Sequence, residues 1–431
     1  MVRKACLVTF VLSLVSSPLP ADELDELKLQ LADLKRRLEQ LEQPQPQAAE
    51  SAELPDNVVT SGDVHGSWKI PGTDSSMRLG GFIRAHMIYD IGPRPTSSGG
   101  DVASIHTAIL EGTPEYQNRG DTRIAGRDAR INVETYTPTA YGQMHTFIQA
   151  DFKGDPDNKG SRATTSRSTF SMRHAYAEVG NFLAGITYSN YLDATVFGDK
   201  VDATGPTGRT MIRQGQIRYT HHLDDYREFA IAIENPHGDF VDADDENLDD
   251  GYPDFTMRFR HETDRWHYQF SGMLRRIGID DGLGLDDTAL SWALNHSGLF
   301  MFPGDRDRIT WYLNFGDGIG RYLEGGKDQG ASITPNGKLD TQSGYGGFVT
   351  YKHWWTPELS TNLDLGIGYY DLNPEEDAQA NERLLSSHIN LIWVPLEQLE
   401  LGLEYVWGHR RVHDGREGEI SRVQVNSIFI F

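Results

Sequence analysis

The stretch GGFIRAHMIYDIG, residues 80–92, decides the fold class. Its apolar residues fall at every second position, whereas polar and charged residues lie between them. Successive side chains of a β-strand point to opposite faces, so this spacing predicts a strand with one apolar and one polar face. The apolar set is Ile83, Ala85, Met87, Tyr89 and Ile91, and the polar set is Arg84, His86 and Asp90.

The same alternation continues to the last residue. The segments run to about ten residues, as a tilted transmembrane strand requires, whereas strands of a soluble sandwich are nearer five or six. Aromatic pairs such as Trp354-Trp355 and Tyr369-Tyr370 lie at segment ends, which is typical of a membrane-interface girdle. The clearest further segments are 130–134, 143–152, 255–260, 267–275, 309–315, 362–370, 399–407 and 422–431. We predict an all-β protein, a transmembrane antiparallel β-barrel of about 16 strands over residues 77–431.

The connections between segments alternate between short and long, as short periplasmic turns and long outer loops do. The chain also ends on an aromatic residue, Phe431, within the apolar parity of the last strand. The predicted short turns are 137–139, 180–181, 223–228, 262–265, 356–358 and 395–398. The predicted long loops are 92–121, 154–168, 236–252, 278–286, 317–342, 371–382 and 409–419.

Composition agrees with a barrel and excludes a helical membrane protein. Only 38% of the 431 residues are hydrophobic, yet the chain has 44 glycines, 18 tyrosines and 18 phenylalanines. A barrel with a wet lumen needs apolar residues at only every second strand position. No apolar run of the length of a membrane-spanning helix follows residue 20.

The first 76 residues have a different character from the rest. Residues 1–21 combine a basic start, an apolar core and small residues before Ala21, which predicts a signal peptide that contains Cys6, the only cysteine. Residues 43–76 are predicted to be a linker. Between them, residues 22–42 predict a short periplasmic coiled-coil helix, with an amphipathic helix lying on its own protein as the alternative. Its leucines alternate spacings of three and four, at Leu24, Leu27, Leu31, Leu34, Leu38 and Leu41.

The formal net charge of −23 is concentrated in a few segments. The run DFVDADDENLDD, residues 239–250, contributes −7 and is favoured as a solvated, repulsive loop, with divalent-cation binding as the alternative. The pair His221-His222 lacks a third ligand, and no metal-site spacing stands out. We therefore expect no cofactor and no metal, and nothing points to nucleic acid.

Arginines on the polar face of the predicted strands are the candidate functional residues. Facing lipid at mid-membrane, each would cost about 2–4 kcal/mol, so we expect them to face the lumen. There they would attract anions, or alternatively pair with lumenal acids such as Asp90, Glu134, Asp151 or Glu262 and strengthen the wall. The candidates for the anion path are Arg84, Arg130, Arg218, Arg258, Arg260 and Arg275.

The segment SNYLDATVFGDKVDATGPTGRT, residues 189–210, follows the fifth predicted strand and is long and of mixed charge. We predict that it folds inward and narrows the pore, with an ordinary outward loop as the alternative. The candidates at this constriction are Asp193, Asp199, Lys200 and Arg209.

These features favour an outer-membrane porin that lets small hydrophilic solutes diffuse passively. A second class is an envelope tether, in which the helix and linker hold the barrel to a structure beneath it. An outer-membrane hydrolase is disfavoured because the sequence contains no G-x-S-x-G or H-E-x-x-H motif.

The sequence resembles the DcaP-like porins over nearly the whole mature chain. The resemblance implies a homotrimer of barrels in the outer membrane of a diderm bacterium, with lipid and lipopolysaccharide around it. It also implies uptake of small anionic solutes such as dicarboxylates, and Arg84 and Arg130 lie within matching stretches. It rests on the leucine heptads, the aromatic end and residues 80–92, 129–139, 142–154 and 173–193.

Deletion of residues 22–56 is expected to leave the barrel folded, because a barrel closes its own hydrogen bonds and a linker separates it from the helix. Heat-resistant, folded mobility on gels checks this. Loss of that mobility in the deleted chain would contradict it.

Overall fold

The computed structural model describes residues 59–94, 101–154, 168–237, 239, 251–280, 282, 284–304 and 306–431. The predicted signal peptide, the coiled-coil helix and the first part of the linker lie outside the described residues. The acidic run does too, apart from Asp239.

Strands dominate the described part of the chain, and most are longer than the strands of soluble sheets. The twenty strands are β1 Trp68–Lys69, β2 Ser76–Asp90, β3 Asp121–Ala125, β4 Arg130–Thr139, β5 Gly142–Asp151, β6 Ser171–Val179, β7 Phe182–Tyr188, β8 Arg213–His222, β9 Arg227–Glu234, β10 Asp254–Glu262, β11 Trp266–Asp280, β12 Asp286–Met301, β13 Arg308–Asp317, β14 Ala331–Ile333, β15 Leu339–Thr341, β16 Ser343–Trp354, β17 Leu359–Asp371, β18 Asn381–Leu396, β19 Leu399–Val412 and β20 Glu417–Ile430.

In the part of the chain that the structure describes, helix is confined to single turns in the connections. Among the described residues, none of the helices has the length and apolar character that crossing a membrane would require. The four 3₁₀ helices are Ile105–Thr107, Pro114–Gln117, Ala194–Val196 and Gly320–Tyr322.

The sheet closes on itself. Neighbouring strands pair antiparallel from β4 through β13 and from β16 through β20, β13 pairs with β16, and β20 pairs with β2. β3 and β4 pair with opposite halves of β2 and so share one position in the wall. β1 only extends the edge at Ser76 and Met77, and β14 and β15 form a separate hairpin. The wall therefore has sixteen strand positions, which confirms the predicted antiparallel barrel.

The burial pattern is the reverse of that of a soluble protein. On β12, Leu290 and Leu294 are 72% and 46% exposed, whereas Ser291, Asn295 and Ser297 are buried. The other strands repeat this distribution, so apolar side chains cover the outside and polar ones line the inside. Such a surface suits hydrocarbon on the outside and a polar lumen.

Several predicted boundaries were displaced. Pairing of β4 with β5 runs to Thr139 and Gly142, so the turn is 140–141 rather than 137–139. The predicted loops 278–286 and 409–419 shrink to 281–285 and 413–416. Their flanks stay in the ladder because backbone pairing does not require apolar alternation once a strand rises above the membrane. The end of the predicted linker is also structured, since β1 lies within it.

The β11–β12 hairpin extends beyond its neighbours. β10 pairs with β11 only as far as Leu274, and β13 pairs with β12 only from Trp292 onward. Residues 275–280 and 286–291 therefore pair only with each other within the sheet.

Outward residues in the protruding part of this hairpin lie outside the hydrocarbon, whereas those lower on the same strands lie within it. The cost of an outward charge should therefore depend on its position along β12. Leu294→Arg should lower the free energy of unfolding by about 2–4 kcal/mol, because it places a guanidinium in hydrocarbon. Leu290→Arg, on the same face of the same strand but in the protruding part, should cost only about 0–1 kcal/mol. Equilibrium unfolding in lipid vesicles measures both, and equal costs would contradict this placement of the membrane.

Candidate functional site

The connection from β7 to β8 lies inside the barrel against the inner faces of distant strands. The Thr310 hydroxyl on β13 donates to the Val196 carbonyl at 2.7 Å. The backbone amides of Val201 and Asp202 donate to the Glu404 carboxylate on β19 at 2.9 and 3.0 Å. Residues 189–210, predicted as an inward loop, therefore run across the lumen from β7 to β19.

Asp193 fixes the start of this loop. Its buried carboxylate accepts hydrogen bonds from His267 Nε2 at 2.6 Å and from the Ser297 hydroxyl at 2.8 Å. Burial alone would raise the pKa of Asp193, but these bonds and one from Thr195 outweigh it and lower the pKa to about 2. Asp193 is therefore a charged anchor that joins the loop to β11 and β12.

Of the other predicted constriction residues, Asp199 contacts the wall, Lys200 contacts its own loop and Arg209 contacts a neighbouring loop. Asp199 pairs with Lys352 on β16, and its carboxylate lies 3.4 Å from Arg308. Lys200 Nζ donates to the carbonyl of Gly198 at 3.3 Å. Arg209 forms a two-point ion pair with Glu324, with Nε to Oε2 at 2.8 Å and Nη2 to Oε1 at 3.2 Å.

Three loops share an apolar core within the lumen. Ala103, Ile105 and Ala108 follow β2, Tyr191 follows β7, and Ile319, Tyr322 and Leu323 follow β13. They pack against inward side chains of the wall, and all are buried. The wall members of this core come from β11, β12 and β17–β20: Met273, Ala293, Tyr370, Leu384, Val406 and Ile420. One side of the lumen, along β11–β20, is therefore filled by protein.

The other side, along β2–β10, carries half-buried arginines. The guanidinium carbons of Arg84 and Arg130 lie 5.1 and 5.4 Å from the centre of the Phe82 ring. Among the described residues, neither forms an ion pair with a carboxylate, and Arg218 on β8 forms none either. The Nε atoms of all three are buried without a hydrogen-bond partner in the described chain.

The remaining predicted arginines are paired. Arg258 Nη2 donates to Glu228 at 2.7 Å, and Arg260 Nη2 donates to Glu262 at 2.7 Å. Arg275 is fully buried against Asp239 at 2.6 Å and donates to the Gly318 carbonyl at 2.8 Å. The structure thus groups Arg84 and Arg130 with neighbouring basic residues but places Arg275 beneath the loop after β13.

The alternation of apolar and polar residues did not identify Arg173 as a residue of the basic side. Arg173 pairs with Asp151 and lies close enough to Arg130 for their charges to interact. In the sequence, Arg173 lies an even number of residues from Ala175 and Ala177, which predicts that its side chain points outward as theirs do. A register shift between β5 and β6 at Gln149 and Ala150 turns it inward. Among the described residues, no group of three or more His, Asp or Glu could hold a metal ion.

A family model described as the DcaP outer membrane protein matches residues 30–431. The chain belongs to the DcaP outer membrane protein family. It is therefore a protein of the outer membrane, as the barrel fold indicates. Among curated protein sequences, none matches the chain significantly.

Solved structures agree on the fold. The DcaP channel of Acinetobacter baumannii is 20% identical, superposes with a TM-score of 0.74 and covers 86% of this chain and 100% of its own. The trimer form of OmpT of Vibrio cholerae is 11% identical, with a TM-score of 0.51 and coverage of 83% and 99%. An anion-selective porin from Comamonas acidovorans is 9% identical, with a TM-score of 0.51 and coverage of 83% and 100%.

The anchoring of the inward loop is testable at Asp193. Asp193→Asn removes the charge that His267 and Ser297 bind, and hydrogen bonds to charged groups contribute about 1.5–3 kcal/mol each. We expect the barrel to stay folded while the loop moves, seen as flickering single-channel current and faster proteolysis within 189–210. Asp224→Asn, at the exposed β8–β9 turn where the carboxylate pairs with Arg227, is the control and should change neither readout.

Proposed function

We propose that this barrel conducts small hydrophilic solutes by passive diffusion and favours anions, dicarboxylates among them. The path runs along the inner face of β2–β10, beside the loop core. The guanidinium groups of Arg84, Arg130 and Arg218 supply fixed positive charge along it.

One observation carries this proposal. Among the described residues, half-buried arginines that form no ion pair lie along β2–β10, opposite the loop core, whereas Arg275, beside that core, is neutralised by Asp239. A guanidinium remains charged at any physiological pH and binds carboxylates in bidentate fashion. In a narrow polar path, such charges lower the barrier for anions.

Pairing within the wall weakens but does not cancel this field. Arg258 and Arg260 are balanced by Glu228 and Glu262, and Arg173 is balanced by Asp151. Arg84, Arg130 and Arg218, which form no ion pair among the described residues, therefore contribute fixed positive charge along this face. A row of paired arginines alone would make the lumen polar without a preference for anions.

We further propose a homotrimer with a periplasmic N-terminal coiled coil. The trimer form of a related barrel supports this assembly, as does the resemblance of the leucine heptads in residues 22–42. A heptad segment of about three repeats is marginal as a single helix, so a barrel assembly that holds three copies together would stabilise it.

The direct test of selectivity is the reversal potential of the reconstituted channel across a salt gradient. A sign that reports anion preference supports the proposal, and cation preference overturns it. A barrel that carries no current would favour the envelope tether instead.

Arg130→Ala is expected to reduce anion selectivity, because it removes a fixed charge that acts within a Debye length of roughly 8–10 Å. Dicarboxylates should lose more flux than monocarboxylates, since two charges experience the same potential. Neutral solutes of similar size should pass at nearly the wild-type rate. Liposome swelling and reversal potentials measure these quantities.

Two variants separate charge from structure at this position. Arg130→Lys keeps the charge and should retain most of the anion preference. Arg227→Ala changes an exposed arginine on the rim of short turns and should have no effect. If Arg130→Ala assembles normally and its anion/cation ratio is unchanged, Arg130 does not determine selectivity.

A further inference from the structure

The outer face of the barrel carries two adjacent arginines near the rim with the long loops. Arg383 on β18 and Arg411 on β19 are direct register partners. Both share the outward parity of Ile389 and Tyr405, which are 48% and 39% exposed. Each lies within three residues of the end of its strand at this rim. Long loops mark the extracellular side of an outer-membrane barrel, so this pair lies at the level of the outer leaflet headgroups.

The two guanidinium groups retain free donors. Among the described residues, Arg383 forms neither an ion pair nor a hydrogen bond, and its Nε is buried without a partner. Arg411 Nε lies 3.0 Å from Glu382, and its Nη groups donate no hydrogen bond within the described chain. The nearby Glu417 lies 3.3 Å from His409 Nε2 and so has a different partner.

An apolar groove continues below the arginines toward the middle of the membrane. It has a volume of about 580 Å³ and crosses the outer faces of β13 and β16–β19. Gly347 forms part of its floor, where a Cβ would lie only 2.2 Å from the Tyr312 carbonyl oxygen. Tryptophans stand at its two edges, and the apolar lining includes Trp311, Leu313, Val349, Leu365, Ile367 and Trp407.

We propose that this surface binds one molecule of lipopolysaccharide. A lipid A phosphate accepts hydrogen bonds from Arg383 and Arg411, and an acyl chain lies in the groove beneath them. Arginine suits this role because its planar fork matches phosphate oxygens. Two guanidinium groups with free donors at headgroup depth, directly above an apolar groove, match a ligand that is anionic at the surface and hydrocarbon below it.

The position of the pair selects this ligand among membrane lipids. In an outer membrane, the outer leaflet consists largely of this phosphorylated glycolipid, whereas glycerophospholipids occupy the inner leaflet. The arginines lie at the rim of the long loops, so a glycerophospholipid of the periplasmic leaflet would not reach them. The site lies outside the lumen and does not depend on the direction of ion selectivity.

The test uses the mature chain refolded from urea into detergent, which removes cellular lipid. Native mass spectrometry during titration with purified lipopolysaccharide should show one tightly bound molecule per barrel. Lipopolysaccharide stripped of its lipid A phosphates should bind about tenfold more weakly, as expected for the loss of charge-assisted hydrogen bonds. Phosphatidylglycerol should compete poorly.

Two variants address the two parts of the site. Arg383→Gln should weaken binding of intact lipopolysaccharide about tenfold but leave binding of the phosphate-stripped form unchanged. Ser387→Phe places a ring in the groove and should weaken both. Arg227→Gln, at the opposite rim, is the matched control and should bind as the wild type does.

The outcomes separate this proposal from the channel function. Equal affinity for intact and phosphate-stripped lipopolysaccharide in the unmodified protein would overturn the site, whether or not any variant folds. Equal binding of phosphatidylglycerol would overturn the choice of ligand. Conductance and selectivity of Arg383→Gln should match those of the wild type, because the residue lies outside the lumen.

Discussion

Every other feature of this protein depends on the satisfaction of backbone hydrogen bonds inside hydrocarbon. A sheet with free edges would leave amides and carbonyls unpaired, at a cost of several kcal/mol each. The pairing of β2 with β20 removes both edges at once. Once the wall is closed, alternate side chains must enter lipid and lumen. This accounts for exposed leucines and buried serines on the same strand.

The lumen is asymmetric because its loops need polar partners as well as apolar ones. The inner wall offers hydroxyl, amide and carboxylate groups, and the loop after β7 pairs with them through Asp193, Asp199 and its own backbone amides. Further ion pairs join the loops to each other, as between Arg209 and Glu324. The fully buried pair of Arg275 and Asp239 serves the same purpose, since either charge alone would be costly in that position. Packing on one side of the lumen leaves the arginine-bearing wall on the other as the lining of the proposed path.

Much of the wall could be predicted from the sequence, because a period of two identifies strands and the face of each residue. The outward set on β2 and most short turns followed from that rule. The turn after β4 was misplaced because Pro138 resembles a turn residue, yet a proline can occupy the non-donating side of a strand. The division of one wall position between β3 and β4 has no signature in hydropathy.

The site was harder to predict than the wall, for physical reasons. The alternation of residues determines the face of the strand on which the side chain of Arg258 or Arg275 lies. It does not determine which carboxylate the arginine pairs with, because that carboxylate comes from another strand or from a loop. Arg173 was missed because a single register shift reverses its face. The loop after β7 was recognised by its length, but Asp193 and Arg209 contact residues 74 and 115 positions away, and no local pattern encodes such contacts.

The separation between a filled and an open half of the lumen also bears on how such a protein can diverge. The loop core draws on segments after β2, β7 and β13 that constrain one another, so its residues must change together. The arginines of β2, β4 and β8 have few partners, so each can be replaced singly without disturbing that core. Under the proposed function, isolated substitutions at these arginines would therefore change the selectivity of the channel and leave the loop core intact.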